Sequence, residues 1–339
     1  MGVALSGTKA IGQDVVLNRG RDAAERRHED PSAEPRTMPL WEGAAPGALG
    51  NAEEDRPTLT IYEPFNAQEP TAAVIVIPGG SYEWLATNHE GRQLTNWLNA
   101  MGITAFLLRY RVGPKYHHPV ELGDAQRAIR MVRARAREFR ALPDKIGVLG
   151  FSAGGHLASP ADTHFDAGNE KSMDPIDRVS SRPDFAVLCY PVISLAADYT
   201  HPRSRENLLG KDANLELRQN LSNETQVTKE TPPTFLWSTS TDTGVPPENS
   251  VAFYLALHNA GVPAELHIFA NGPHGAGLYL QDSVGGRVGG TVEELVERER
   301  GFEIKLIGLR ACEEQSTASV AMCRLTRCAH FMQARGARG

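Results

Sequence analysis

From Thr58 onward the chain alternates short apolar runs with amphipathic stretches. The runs are Leu59–Tyr62, Ala72–Ile77, Ile103–Leu108, Ile146–Leu149, Phe185–Cys189, Phe235–Trp237 and Leu266–Phe269, and several are continuous rather than alternating. Continuous β-branched and aromatic runs of this length predict strands buried on both faces, the pattern of a parallel sheet. Between them, Leu94, Trp97, Leu98 and Met101 fall at i, i+3, i+4 and i+7, one stripe of a helix. Leu122, Ala125, Ile129, Val132, Ala136 and Phe139 repeat the rule over five turns. A third helix is predicted from Glu248 to Ala260, stopped by Gly261 with Pro263 beyond. Strand–helix alternation of this kind predicts a doubly wound, mostly parallel α/β sheet with helices on both faces, in a single domain spanning 57–280. No internal repeat or low-complexity segment is present.

The flanks read differently. Residues 1–56 lack periodicity and are dense in Arg, Glu, Pro and Gly, which predicts an irregular N-terminal arm. Residues 281–339 form an atypical tail. Within it Val292, Leu295 and Val296 fit a short helix, and Cys323, Cys328 and His330 are too sparse for a zinc site.

Composition narrows the function. The 339 residues carry 35 Lys+Arg against 41 Asp+Glu, a net charge of −6, which removes the electrostatic reason to bind nucleic acid. Six Arg between 127 and 140 suggest a phosphate site, but interleaved acidic residues and the lack of a Gly-rich loop favour a solvated helix face. No run is long enough to span a membrane and the first residues have no apolar signal core, so a soluble cytoplasmic protein is expected. The four Cys, three of them in the tail, do not make a disulfide framework.

The chemistry concentrates in IGVLGFSAGGHLA (146–158). Gly150-Phe151-Ser152-Ala153-Gly154 is a G-x-S-x-G pattern that follows a buried-type strand and opens a helix-compatible stretch. That is the setting of a nucleophile elbow, where Ser152 sits in a strained turn between two residues without side chains. A serine hydroxyl needs a base, and the base an acid to orient it, in the chain order Ser, acid, His. His274 in Asn271-Gly272-Pro273-His274-Gly275 stands on a loop directly after the ELHIFA run. His267 packs in that strand, His258 and His330 read as surface residues, and His156 faces one helical turn below Ser152, out of reach of its oxygen. Asp242, just past the TFLWST run and before Val245-Pro246, is the favoured acid. Glu248 is its rival, at a helix start where a carboxylate is stabilising in any case. An oxyanion needs preset amides. Ala153 supplies one, and Pro78-Gly79-Gly80-Ser81, following the Val74–Ile77 run, supplies the loop for others. Tyr82, Trp84 and Tyr190 lie just past strand ends and are candidates to line the substrate pocket.

Taken together, these stretches resemble the α/β-hydrolase superfamily and, within it, the bacterial acetyl esterase and acetylxylan esterase-like branch. The resemblance covers roughly 240 residues, from MPLWEGAAPGALG (38–50) through PGGSY, GFSAGGHLAS and CYPVISL to PAELHIFANGPHGAGL, ending near Leu278. It implies catalytic Ser152, Asp242 and His274, oxyanion amides from Gly80, Ser81 and Ala153, and no cofactor or metal. It further implies acetyl-ester cleavage on a sugar or xylo-oligosaccharide, which acts as a small-molecule or oligosaccharide partner; the oligomeric state is left open. A peptidase or lactonase on the same fold is the alternative enzyme. A non-catalytic binding protein of this fold is the alternative class, although all three triad positions are filled. The chain departs from the family pattern in three places. Ser81 replaces a glycine of the P-G-G-G-Y element, Pro160 falls inside the expected nucleophile helix and should kink or end it, and the likeness stops after Leu278. A chain end read in a shifted frame would have the texture of that tail; an accessory segment is the other explanation.

Overall fold

The computed structural model describes residues 34–64, 67 and 69–277, and the account below concerns the compact unit that begins at Pro35. The tail helix, the Cys323–His330 group and residues 1–33 of the arm lie outside the described residues.

All seven predicted runs are strands, joined by one further strand in an eight-stranded sheet. In chain order they are β1 (Arg36–Pro39), β2 (Thr58–Tyr62), β3 (Thr71–Ile77), β4 (Thr104–Arg109), β5 (Ala141–Phe151), β6 (Phe185–Cys189), β7 (Thr234–Thr239) and β8 (Ala264–Phe269). The spatial order is β1-β2-β4-β3-β5-β6-β7-β8. The β1–β2 and β2–β4 pairs are antiparallel and all the others are parallel. Alternate residues of the central strands feed two separate cores. Ala73, Ile75, Ile77, Ile146 and Val148 face the helices Val120–Ala134 (α2), Ala153–Thr163 (α3) and Glu248–Asn259 (α6). Val74, Val76, Leu149, Phe151 and Trp237 share the other face with Leu94 and Leu98 of the helix Gln93–Ala100 (α1). Burial on both faces explains why the runs are continuous. Helices Pro202–Leu209 (α4) and Leu215–Asn220 (α5) belong to the excursion between β6 and β7.

Three expectations are corrected. The arm is not irregular to residue 56. Arg36–Pro39 pairs with β2, and Leu40 is fully buried, held by its amide's bond to Pro57 O and by Arg127 Nε at its carbonyl. A four-residue edge strand is too short to show a period in the sequence.

Pro160 neither kinks nor ends α3, which continues to Thr163. The carbonyl that a normal amide at position 160 would have bonded belongs to His156, and the Ser159 hydroxyl donates to it at 2.9 Å. The missing donor is thus replaced by the residue next door.

The arginine-rich face of α2 is not simply solvated. Arg127, 5 % exposed, pairs with Asp174 and Asp177 at 2.6 and 2.7 Å. Arg130 pairs with Asp166, and Arg133 with Asp184 at 2.9 Å. These ion pairs fasten the 166–184 segment to the helix. Their carboxylates come from a remote stretch that helical spacing cannot reveal. The helix itself stops at Ala134, although Ala136 and Phe139 continue its stripe into the core.

Candidate active site

The carboxyl ends of the parallel strands gather the candidate residues. Ser152 occupies the turn between β5 and α3 with φ 52° and ψ −117°, a conformation that L-residues hold only when their surroundings force it. Its amide donates to Cys189 O at 3.0 Å, and its carbonyl accepts from Val192 N and His156 N, both at 3.0 Å. The flanking glycines are sterically required. A Cβ on Gly150 would lie 2.4 Å from Gly154 O, and one on Gly154 would lie 2.2 Å from Ile77 O. The elbow is therefore wedged against the end of β3, where the oxyanion loop starts.

Ser152 Oγ lies 2.8 Å from His274 Nε2, and His274 Nδ1 lies 2.6 Å from Asp242 Oδ2. Asp242 Oδ1 accepts from the amides of Gly244 and Val245, each at 2.9 Å, so the carboxylate is held on both oxygens. The loop carrying His274 is tied to the end of β7 and to the turn that leads to Asp242. Gly272 O accepts from Thr239 Oγ1 and Thr241 Oγ1, and Gly272 N donates back to Thr241 Oγ1 at 2.9 Å. With Asp242 accepting at Nδ1–H, the Nε2 lone pair faces the serine hydroxyl. This arrangement can take a proton from Ser152 and later return it. Glu248, the rival acid, is exposed at the start of α6, while His274 Nδ1 is bonded to Asp242 instead.

The Gly79–Ala86 loop folds back on itself through Trp84 N and Glu83 N to Gly80 O, and Ala86 N to Gly79 O. Among the described residues no acceptor takes the amides of Gly80, Ser81 or Ala153. Ser81 departs from a glycine pattern yet holds φ 58°, and Asn207 Nδ2 in α4 donates to its carbonyl at 2.8 Å. An outside side chain thus supports the left-handed turn that glycine would adopt unaided.

The three aromatic candidates separate. Tyr82 is fully buried. Its hydroxyl bonds His156 Nδ1 at 2.8 Å while His156 Nε2 meets Leu221 O at 2.9 Å, so His156 is a neutral link in the core, with a pKa lowered by burial to about 4. Tyr190 is 1 % exposed and packs edge-on against His274 with ring centroids 5.1 Å apart. Neither ring offers open surface to a substrate, which corrects the expectation that they line the pocket; core packing and hydrogen bonding absorb both. Trp84 does remain open, 54 % exposed, on the wall of a cleft of about 580 Å³ shared with Arg56, Glu83, Arg109 and Lys115.

Two further residues reach the site without a signal in the sequence. Glu90, 3 % exposed, accepts from Gly79 N and from Tyr190 Oη, both at 2.8 Å. His201, at the start of α4, has its pKa lowered by burial and by the nearby His274, and its Nδ1 meets Ser204 Oγ at 2.8 Å.

The BD-FAE family model matches residues 59–257. Among curated relatives, an acetylxylan esterase of Xylanibacter ruminicola is 36 % identical over 234 residues, 68 % of this chain and 46 % of that protein. Endo-1,4-beta-xylanase B of Butyrivibrio fibrisolvens is 35 % identical over 64 % of this chain and 34 % of its own length. The chain thus spans less than half of either relative. A solved acetyl ester-xyloside bifunctional hydrolase from Caldicellulosiruptor lactoaceticus superposes with a TM-score of 0.68 at 48 % identity, covering 72 % of this chain and 89 % of that one. The parallel sheet, the elbow at the end of β5 and the extent of the family match lead to one conclusion: this chain belongs to the BD-FAE family and has the α/β-hydrolase fold.

Proposed function

We propose that this chain is a serine esterase that removes short acyl groups, acetyl above all, from sugar or xylo-oligosaccharide alcohols. The observation that carries the reading is the continuous relay Ser152 Oγ–His274 Nε2 and His274 Nδ1–Asp242 Oδ2, at 2.8 and 2.6 Å. Ser152 attacks the ester carbonyl as His274 takes its proton. Asp242 holds the imidazole tautomer and stabilises the cation that forms. The amides of Gly80, Ser81 and Ala153 receive the oxyanion, and the positive end of α3 adds to their field. His274 returns the proton to the leaving alcohol, and the same base then activates water against the acyl-enzyme. The acetyl preference draws its support from the names of the acetylxylan esterase and acetyl ester-xyloside hydrolase relatives. The polar cleft beside Trp84 suits a polyhydroxylated leaving group, with an aromatic face to pack on and charged groups to bond. Among the described residues no helix is long and apolar enough to cross a membrane.

The test is hydrolysis of 4-nitrophenyl acetate and of acetylated xylo-oligosaccharide by the wild type and by Ser152→Ala. Acetate release from both substrates, lost in the variant, supports the reading. Release that persists in Ser152→Ala, or wild-type preference for octanoyl over acetyl esters, overturns it.

A further inference from the structure

Glu90 sits in the single π-helical turn Asn88–Arg92 that precedes α1, outside every segment that supplies the nucleophile, base or acid. A glutamate only 3 % exposed needs hydrogen bonds in place of water, and both of its oxygens are engaged. Oε2 accepts from the amide of Gly79, the first glycine of the oxyanion loop, at 2.8 Å. Gly79 stands so close to the nucleophile that a Cβ there would lie 3.0 Å from Ser152 Cβ. Oε1 accepts from the Tyr190 hydroxyl at 2.8 Å. Burial, with the Glu90 carboxylate beside it, raises the pKa of that phenol far above its usual range, so Tyr190 is a permanent donor. The same hydroxyl oxygen accepts from Gly277 N at 2.8 Å, three residues beyond His274, and the Tyr190 ring packs on the His274 ring. The turn touches the histidine loop a second time: a Cβ on Gly277 would lie 2.8 Å from His89 O.

We propose that Glu90 is a positioning residue that couples the oxyanion loop to the His274 loop, joining Gly79 on one side to Tyr190 and Gly277 on the other. The inference rests on the esterase reading above for its kinetic arm only. The two loops follow β3, in the middle of the sheet, and β8, at its edge, two strands that are not neighbours. Glu90 and Tyr190 bridge that gap. Because the donors must be preset where charge develops, loosening the bridge costs transition-state binding more than substrate binding.

Glu90→Ala removes both acceptors. Glu90→Gln keeps a carbonyl oxygen for Gly79 N, but its NH₂ turns a donor toward Tyr190. Tyr190→Phe cuts only the His274 side. Kinetics on 4-nitrophenyl acetate should show kcat lowered about 100-fold in Glu90→Ala and about tenfold in Glu90→Gln, with KM changed less than about threefold. The Glu90→Gln and Tyr190→Phe losses should be non-additive in the double variant, because both cut the same link. A substrate-free arm follows amide hydrogen exchange. In Glu90→Gln, exchange should rise in both the 78–86 and 271–277 peptides, with the core strands unchanged.

Wild-type kcat in Glu90→Ala overturns the proposal, as does a loss confined to KM. Exchange that rises at 78–86 but not at 271–277 overturns the coupling. A wild type with no esterase activity would defeat the functional reading alone, since the exchange arm still decides whether Glu90 links the two loops.

Discussion

Ser152 and His274 lie 122 positions apart, yet their hydrogen bond is as short as one between neighbours. Residues that act as one unit are lost as one unit. Ser152→Ala, His274→Ala and the double variant should therefore lower kcat to a common residual level, by roughly 10⁴-fold or more. Asp242→Asn should fall less far, because the base survives with its tautomer disturbed. Glu248→Gln should stay within about twofold of wild type. Steady-state kinetics on one acetyl ester tests all five proteins, and a Glu248→Gln loss larger than that of Asp242→Asn would reverse the choice of acid. At this scale the sequence was highly legible. The G-x-S-x-G pattern carries its own steric reason in the 2.4 and 2.2 Å approaches that Gly150 and Gly154 allow. Glu90 was not legible, since nothing in Asn88-His89-Glu90-Gly91-Arg92 separates a buried bridging glutamate from a solvated one.

At the scale of elements, α3 is the instructive helix. It begins immediately after Ser152 and holds a proline at its eighth position, and it survives because Ser159 Oγ donates to the His156 carbonyl. Ser159→Ala should cost about 1–3 kcal/mol, since it removes the hydroxyl that bonds both that carbonyl and, at 2.7 Å, the Asn223 amide. Restoring the backbone donor with Pro160→Ala should recover part of this loss, so the double variant should be more stable than the sum of the single changes. Urea denaturation of the four proteins completes the cycle, and strict additivity would show that Ser159 does not compensate for Pro160. The oxyanion loop gives a second test. Trp84 is exposed on the cleft wall and its side chain bonds no triad residue. Trp84→Ala should raise KM for acetylated xylo-oligosaccharide by about tenfold, the loss of one stacked face, while 4-nitrophenyl acetate turnover changes less than about twofold. Equal effects on both substrates would mean that the ring supports the loop rather than the sugar.

Across the whole molecule, two buried groups set opposing pH limits. His156 is fully buried and its pKa lies at about 4, below the ordinary 6.5, because burial disfavours the cation. As pH falls below 6.5 the unfolded chain takes up a proton that the folded chain refuses until about 4, so stability declines through that window, by up to about 3 kcal/mol. Glu121 is fully buried near Tyr82, Tyr110 and Asp124, and among the described residues neither oxygen has a hydrogen-bond partner outside its own backbone amide. Burial raises its pKa from 4.5 to about 8. Above 4.5 the unfolded chain releases a proton that the folded chain keeps, so this contribution is lost as pH rises toward 8. Glu121→Gln cannot ionise in either state. Relative to wild type it should gain about 2–4 kcal/mol between pH 5 and pH 8 in urea denaturation, and a pH-independent difference would refute the assignment.

Strand positions, the main helices, the serine in the strained turn and the meeting of Ser152, His274 and Asp242 could be read directly from the sequence. Burial on both sheet faces, helical periodicity and tight-turn sterics are local constraints, and each leaves a local pattern in the chain. The elements that escaped depend on partners remote in sequence. The edge strand Arg36–Pro39 is defined by β2, and the arginine face of α2 by carboxylates between Asp166 and Asp184. The roles of Tyr82 and Tyr190 are defined by His156, Glu90 and Gly277. The sequence itself determined which residues could perform the chemistry, because strained turns and buried strands restrict residue type one position at a time. Only the tertiary structure decided what holds those residues in register, because a buried polar group is defined by the partner that satisfies it, and that partner can come from anywhere in the chain.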